Sequence, residues 1–216
     1  MTDRTLATSA DYADALLVAR RAKNWLFLFI LLMLLLQISV FFVARYTDLI
    51  VIAPAMAGSM AATTAPTTQP AGREVIHYLS GFGLFLGTIL PILLALVLLL
   101  IVHIMLVGRL IGVARITSAF IWCLLLILLM FPWQIYFGGT SSAADFRIPG
   151  VLYTWYDLRT HAKFDSHNLN LAIVKWARFF VMPLVATVIL LIVQARSKRG
   201  LNQALGEETP DITITT

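Results

Sequence analysis

A short stretch of acidic and histidine side chains has the clearest capacity for chemistry in this chain. Asp157 and His161 are four residues apart, the spacing that brings two side chains to one face of a helix. Carboxylate oxygens and imidazole nitrogens are ordinary ligands of zinc and other divalent cations. Such groupings also arise by chance, and the simpler interpretation is a solvated loop. The candidate metal ligands are Asp157, His161, Asp165 and His167.

Three further polar side chains lie within or beside long apolar stretches and are candidates for binding a ligand. An arginine at membrane depth could hold a carboxylate, a phosphate or a quinone oxygen through its planar guanidinium group. Alternatively, the arginine extends to the lipid phosphates, and a histidine near the end of a span forms an interhelical hydrogen bond. Apart from a bound lipid or quinone, no cofactor is predicted. The candidates are Arg178, Gln134 and His103.

Motifs of established catalytic mechanisms are absent from the sequence. It contains no HExxH, no GxSxG and no phosphate-binding P-loop. Cys123 is the single cysteine, so neither an intramolecular disulfide nor a two-cysteine redox relay can form. An enzyme is therefore the least favoured functional class, and a non-catalytic role is expected.

Four long apolar runs must position all of these side chains. Each run has about 20 residues or more, which is the length that an α-helix needs to cross the hydrocarbon layer of a membrane. None of the 11 Asp and Glu residues lies within a run, whereas proton and cation pumps usually carry carboxylates at membrane depth. The expected fold is all-α: a polytopic integral membrane protein with four transmembrane helices in a bundle. The predicted spans are residues 25–44, 82–107, 116–137 and 171–194.

Composition supports a membrane protein and argues against a nucleic-acid partner. Hydrophobic residues make up 60% of the chain and charged residues 12%, against about 25% charged residues in soluble domains. The sequence pI is near 9.7, but the Lys and Arg residues are scattered around the apolar runs rather than grouped on one surface. They are expected to contact the headgroups of membrane lipids. The expected location is a bacterial plasma (inner) membrane.

Orientation in the membrane follows from the basic residues that flank the spans. Arg20, Arg21 and Lys23 form a tight cluster before the first span, and such clusters stay on the cytoplasmic side during insertion. An even number of spans then places both termini in the cytoplasm. The expected division is a cytoplasmic segment 1–24, a membrane domain 25–194 with extracytoplasmic loops 45–80 and 138–170, and a cytoplasmic tail 195–216.

The sequence predicts where two segments outside the spans lie relative to the membrane. Residues 9–23 are predicted to form a helix, which either lies on the inner headgroup layer or simply extends the first span. Residues 151–156 read VLYTWY, and aromatic side chains with a polar tip prefer the membrane–water interface. This second segment is therefore expected to lie flat on the outer surface of the membrane.

Small and polar residues within the spans predict helix–helix contacts. Gly83 and Gly87 form a GxxxG pair, which allows a neighbouring helix to approach closely. Gln37 lies near the centre of the first span and needs a partner within the bundle or from another subunit. Backbone hydrogen bonding is expected to be interrupted in spans 2, 3 and 4 by Pro91, Pro132 and Pro183.

Three functional classes remain open. The nearly pure aliphatic spans favour a non-catalytic subunit or scaffold of a larger membrane assembly, held by other membrane subunits or by self-association. A small channel, transporter or lipid/quinone-binding protein would instead need an outward-facing cavity between spans 2, 3 and 4, lined by Gln134 and Arg178. A membrane enzyme is the third class, and it lacks recognisable machinery.

Overall fold

The structure, a computed structural model, is an antiparallel bundle of four helices. Helix α1 spans Ser9–Tyr46 and helix α2 spans Ala71–Val107. Helix α3 spans Val113–Met130. Helix α4 consists of three consecutive pieces: an α-helix Leu169–Trp176, a π-helical turn Ala177–Val181 and an α-helix Met182–Ala204. The described residues are 9–47, 71–133, 150–155, 157–158 and 169–207, and they contain no β-strand.

All four helices are long and apolar enough to cross a membrane, which confirms the predicted all-α membrane fold with four spans. α1 contains 38 residues and α2 contains 37, which corresponds to about 55 Å at 1.5 Å per residue. Because the hydrocarbon layer is about 30 Å thick, both helices extend well beyond it. The orientation of the termini stays a prediction.

The segment before the first predicted span belongs to the same helix as that span. α1 is continuous from Ser9, so residues 9–23 extend the span instead of forming a separate surface helix. Leu16 packs with Met105 of α2 and Leu201 of α4 in a buried cluster. The bundle therefore continues past the hydrocarbon layer on the side that holds residues 9–24, 108–115 and 195–207, here called the terminal end.

The other helices depart from their predicted limits for identifiable reasons. α2 begins at Ala71, so residues 71–80 of the predicted loop are helical. A search for apolar runs misses these first turns because Glu74 and His77 lie in them. α4 continues to Ala204, so the first part of the predicted tail 195–216 is also helical.

α3 ends earlier than predicted. It stops at Met130 rather than near residue 137, and Phe131 adopts an extended conformation with φ −65° and ψ 134°. The residue before a proline is disfavoured in the α region, so Pro132 terminates the helix instead of kinking it. Residues 134–137 lie outside the described part of the chain.

Pro183 has a different effect on α4. It lacks the N–H group that would bond to the Phe179 carbonyl, and the preceding turn is π-helical, with the Met182 N–H donating to the Ala177 carbonyl. A π turn inserts one extra residue into the helix. Arg178 and Phe179 lie in this turn and are both buried.

The helices form a closed ring in which each packs against two neighbours. α1 contacts α2 and α4, and α3 contacts the same two helices from the opposite side. Side chains such as Leu34, Leu98 and Leu126 fill the centre and are fully buried. The side of the bundle where α1 ends and α4 begins, opposite the terminal end, is here called the loop end.

Candidate functional site

The loop end is closed by a segment that returns into the bundle and whose first residues are non-helical. Val151, Leu152 and Tyr153 are almost completely buried, so the prediction that residues 151–156 lie flat on the membrane surface is wrong for these three. Backbone without helical hydrogen bonds is tolerated at membrane depth only where protein surrounds it or where it lines a water-filled cavity. Residues 150–153 are non-helical and buried, so protein surrounds them. Together with residues 154–155 and 157–158 they form the segment here called the plug.

The plug completes hydrogen bonds that the end of α3 leaves open. The last carbonyl groups of a helix have no partner within it. The Leu129 carbonyl accepts a hydrogen bond from the Val151 N–H at 3.1 Å. The Leu128 carbonyl accepts one from the indole N–H of Trp133 at 2.7 Å. The early end of α3 is thus stabilised by the segments that follow it.

Leu152 of the plug lies against α2 at Gly87. A Cβ atom at Gly87 would lie only 2.6 Å from Leu152 Cδ2, which a real side chain could not do. Gly83 instead faces α1, where a Cβ atom would lie 3.5 Å from Met33 Cε. The two glycines of the GxxxG pair therefore serve different contacts, and both contacts lie within this chain.

Tyr153 joins the plug to α1 and α4. Its hydroxyl donates a hydrogen bond to the Gln37 backbone carbonyl, and its ring meets Phe179 edge to face with the centroids 5.2 Å apart. The phenol of tyrosine carries its proton at neutral pH, so Tyr153 is the donor in this bond. Gln37 precedes the end of α1 by about nine residues, so the hydroxyl reaches roughly 13 Å below that end.

A capped helical turn completes the plug. Thr154 Oγ1 accepts a hydrogen bond from the Asp157 N–H at 3.2 Å, and Asp157 Oδ2 accepts one from the Thr154 N–H at 3.0 Å. This reciprocal pair is a capping box. Tyr153 before the cap and Leu158 after it belong to one buried cluster, as in the hydrophobic staple that accompanies such caps. Together these contacts fix the position of the Asp157 carboxylate.

The capped carboxylate faces Arg178 in the π turn of α4. Arg178 Nη2 lies 3.5 Å from Asp157 Oδ2, and the two side chains are 5% and 6% exposed. The attraction between buried charges is strong, but it is offset by the cost of removing both from water. Two residues predicted for separate sites, an arginine for a ligand and an aspartate for a metal, thus form one buried ion pair.

Aromatic rings and further cations surround this ion pair. Phe41 stacks on Phe179 with the ring centroids 5.0 Å apart. The Arg45 guanidinium carbon lies 5.6 Å from the centroid of the Trp176 ring, a cation–π distance. Lys175, about one turn before the ion pair on α4, is buried. The loop end therefore combines positive charge with a cluster of packed aromatic rings.

Two polar side chains border a small cavity beside Tyr153. The cavity measures about 10 Å³ and is lined in part by Gln37, Ser80, Gly83 and Tyr153. Gln37 Oε1 and Ser80 Oγ are buried and have no hydrogen-bond partner among the described residues. Gln37 therefore faces the interior of its own chain, between α1 and α2.

A larger cavity, here called the α2 groove, lies on the outer side of α2 near the loop end. It measures about 770 Å³ and is bordered mainly by apolar atoms. Phe82 and Phe85 are 56% and 62% exposed beside it, and Trp155 meets His77 edge to face at 5.7 Å. Lining residues include Tyr78, Ser80, Phe82, Phe85, Thr154 and Trp155.

The two predicted ligand-binding residues that the structure describes, Arg178 and His103, do not lie close together. Arg178 lies at the loop end, whereas His103 is exposed on α2 near the terminal end, with Nδ1 2.8 Å from the Leu99 carbonyl oxygen. Within the described ranges, no three His, Cys, Asp or Glu side chains form a group that could hold a metal ion. Four predicted site residues lie outside those ranges: Gln134, His161, Asp165 and His167.

A buried lysine at the terminal end is a feature that the sequence did not reveal. Lys23 is 1% exposed, and its Nζ donates to Gln194 Oε1 at 2.8 Å and to Ser197 Oγ at 2.9 Å. Gln194 Nε2 in turn donates to Asn24 Oδ1 at 3.1 Å. The three-residue spacing of Gln194 and Ser197 was the available signal, because it places two polar side chains on one face of α4.

No protein-family model, curated protein or solved structure matches this chain. Four features of the structure bear on its function: the plug, the buried ion pair, the α2 groove and the hydrogen-bonded group around Lys23.

Proposed function

We propose that this chain is a non-catalytic integral membrane subunit or scaffold of a larger membrane assembly. The observation that carries the proposal is the contrast between a filled interior and a recessed outer surface. Leu34, Leu98 and Leu126 are fully buried in the bundle centre, and the plug occupies its loop end. The α2 groove, by contrast, opens sideways from the bundle.

The use of polar groups also favours a structural role. A channel or carrier needs hydrogen-bonding or charged groups along its passage. Here Asp157 and Arg178 face each other at 3.5 Å, and Tyr153 bonds to the backbone of α1. These groups hold the plug in place, so their contacts support a stable closed bundle as the resting form of the chain.

The α2 groove supports contact with another membrane protein. Lipid tails are as apolar as leucine, so helices associate in a membrane through close packing rather than through a hydrophobic driving force. A recess between Tyr78, Phe82 and Trp155 offers side chains of a neighbouring helix a place to interlock. The proposed occupant is a transmembrane helix of a partner subunit or of a second copy.

A lipid or quinone in the same groove is the second candidate function. Its volume of about 770 Å³ falls within the range of roughly 300–1,000 Å³ that small-molecule pockets occupy. Ser80 borders the groove, and its buried Oγ has no partner in the described chain. The mainly apolar lining of the groove suits the ring and tail of a quinone or the acyl chain of a lipid.

Native mass measurement after gentle extraction from the original membrane separates the two candidates. The scaffold proposal expects a species heavier than the 24.0 kDa chain that dissociates into protein subunits. The second candidate expects a monomer that carries one small-molecule adduct. Replacing both Phe82 and Phe85 by alanine should break either complex, and Phe29→Ala, on the exposed surface of α1, is the matched control. A bare monomer in every preparation contradicts both proposals.

A further inference from the structure

One exposed face of α1 at the terminal end changes from basic to apolar along the helix. Arg21, Asn24, Trp25 and Leu28 are spaced so that they lie on one side of the helix. They line a surface groove of about 280 Å³. Trp25 is 62% exposed and Leu28 is 48% exposed. The groove thus has a cationic, hydrogen-bonding end and an apolar end that points along α1 into the membrane.

Lys23 is a buried cation that lies between Arg21 and Asn24 in the sequence of α1. Lys23 is held by the neutral side chains of Gln194 and Ser197, and no carboxylate of the described chain pairs with it. A buried charge without a counter-charge is costly. Arg20 and Lys198 lie close enough to add electrostatic repulsion. An anion in the adjoining groove would reduce that repulsion.

The whole terminal end carries a net positive charge, which also favours an anionic ligand. The described residues of this end include eight Lys and Arg residues but only three Asp and Glu residues, Asp11, Asp14 and Glu207. Glu207 is paired with Arg20 at 3.1 Å. The basic residues are Arg20, Arg21, Lys23, Arg109, Arg115, Arg196, Lys198 and Arg199.

We propose that this groove binds an anionic phospholipid, with the headgroup phosphate at Arg21 and Asn24. Asn24 Oδ1 accepts the hydrogen bond from Gln194, which leaves its amide N–H groups to donate to a phosphate oxygen. Arg21 adds a charge-assisted hydrogen bond to the same group. The acyl chain lies along Trp25 and Leu28, and the indole ring sits at headgroup level, where tryptophan is enriched. This site does not depend on the α2 groove or on its occupant.

Quenching of Trp25 by brominated lipids tests the proposal. The protein is reconstituted in phosphatidylcholine vesicles that contain increasing fractions of brominated phosphatidylglycerol or of brominated phosphatidylcholine. Because the chain has five tryptophans, the difference between the native protein and Trp25→Phe isolates the signal of Trp25. The expected result is half-maximal quenching at a several-fold lower fraction of the anionic lipid. Equal quenching by both lipids overturns the proposal.

Two charge-neutralising variants show whether the preference belongs to the groove. Arg21→Gln should lower the preference by more than about tenfold, because it removes a charge-assisted hydrogen bond to the phosphate. Arg199→Gln removes the same charge from the same end but does not line the groove, so it should lower the preference by no more than about fivefold, the contribution of one basic residue near an anionic surface. Equal losses in the two variants would mean diffuse attraction only. If soluble glycerol phosphate relieves the quenching, the ligand is a free phosphate and not a lipid, which contradicts the proposal.

Discussion

Leu152 occupies the space that a side chain at position 87 would need, because a Cβ atom on Gly87 would lie 2.6 Å from Leu152 Cδ2. Leu152 is 1% exposed, so the packed bundle around it limits the room into which its methyl groups can shift. This contact joins the plug to the middle of α2. It therefore offers a direct way to test whether the plug is an integral part of the fold.

Gly87→Ala should destabilise the protein because the added methyl group overpacks a buried contact. Overpacking of this kind costs about 1–3 kcal/mol, which exceeds the gain of roughly 1 kcal/mol from replacing glycine by alanine within a helix. The measurement is the apparent unfolding temperature in detergent micelles at a fixed heating rate. The double variant Gly87→Ala/Leu152→Ala should lose less than the sum of the two single variants, because Leu152→Ala, which itself costs about 2–5 kcal/mol, removes the atoms that the new methyl group meets.

Gly81 provides the matched control for this experiment. It lies on the same helix, and a Cβ atom there would meet nothing within 4 Å. Gly81→Ala should therefore leave the unfolding temperature unchanged or raise it slightly. If Gly87→Ala proves as stable as Gly81→Ala, Leu152 does not fill the space beside Gly87.

Asp157→Asn should strongly destabilise the loop end, because it leaves Arg178 buried without this carboxylate. Removing one member of a buried ion pair typically costs on the order of 3 kcal/mol. The double variant Asp157→Asn/Arg178→Met should lose less stability than the two single variants combined, because it removes both members of the pair and leaves no unpaired charge from it. Thermal unfolding of the four proteins gives the coupling energy.

The exposed pair between Arg20 and Glu207, at 3.1 Å, is the control for this cycle. Glu207→Gln should cost no more than about 1 kcal/mol, because solvent-exposed ion pairs contribute little. Raising the salt concentration should reduce that small effect further but leave the Asp157–Arg178 coupling nearly unchanged. Additive effects of Asp157→Asn and Arg178→Met would show that the two side chains do not act as a pair.

Gln37→Leu should leave stability unchanged or increase it. Gln37 Oε1 is buried and has no hydrogen-bond partner in the described part of the chain, and an unsatisfied buried polar group costs about 1–3 kcal/mol. The hydrogen bond from Tyr153 goes to the backbone carbonyl of Gln37, so the substitution preserves it. A fall in unfolding temperature with Gln37→Leu would show that the amide has a stabilising partner.

The four spans could be predicted from sequence because membrane crossing depends on run length and on the absence of charge. Helix limits were less predictable, since they depend on local competition for backbone hydrogen bonds. α3 ends at Met130 because Pro132 follows and because Val151 and Trp133 supply donors to its last carbonyls. Val151 comes from a distant part of the chain, which no local pattern identifies.

The plug was missed because its composition also fits a surface belt. Tyr153 and Trp155 have the amphipathic rings that favour an interface. Only tertiary contacts, of Leu152 with Gly87 and of Tyr153 with Phe179, decide that this part of the segment is buried. One local signal was present. Thr154 and Asp157 have the spacing of a capping box, which marks the start of a helical turn within the predicted loop.

Photo-crosslinking in the native membrane tests the proposed partner most directly. A photoreactive benzoylphenylalanine replaces Phe85, which is 62% exposed in the α2 groove, or Phe29, which is 48% exposed on α1. The proposed scaffold role predicts a protein adduct heavier than the 24.0 kDa chain from position 85 and little or none from position 29. Lipid or quinone adducts alone at position 85, without any protein adduct, would contradict it.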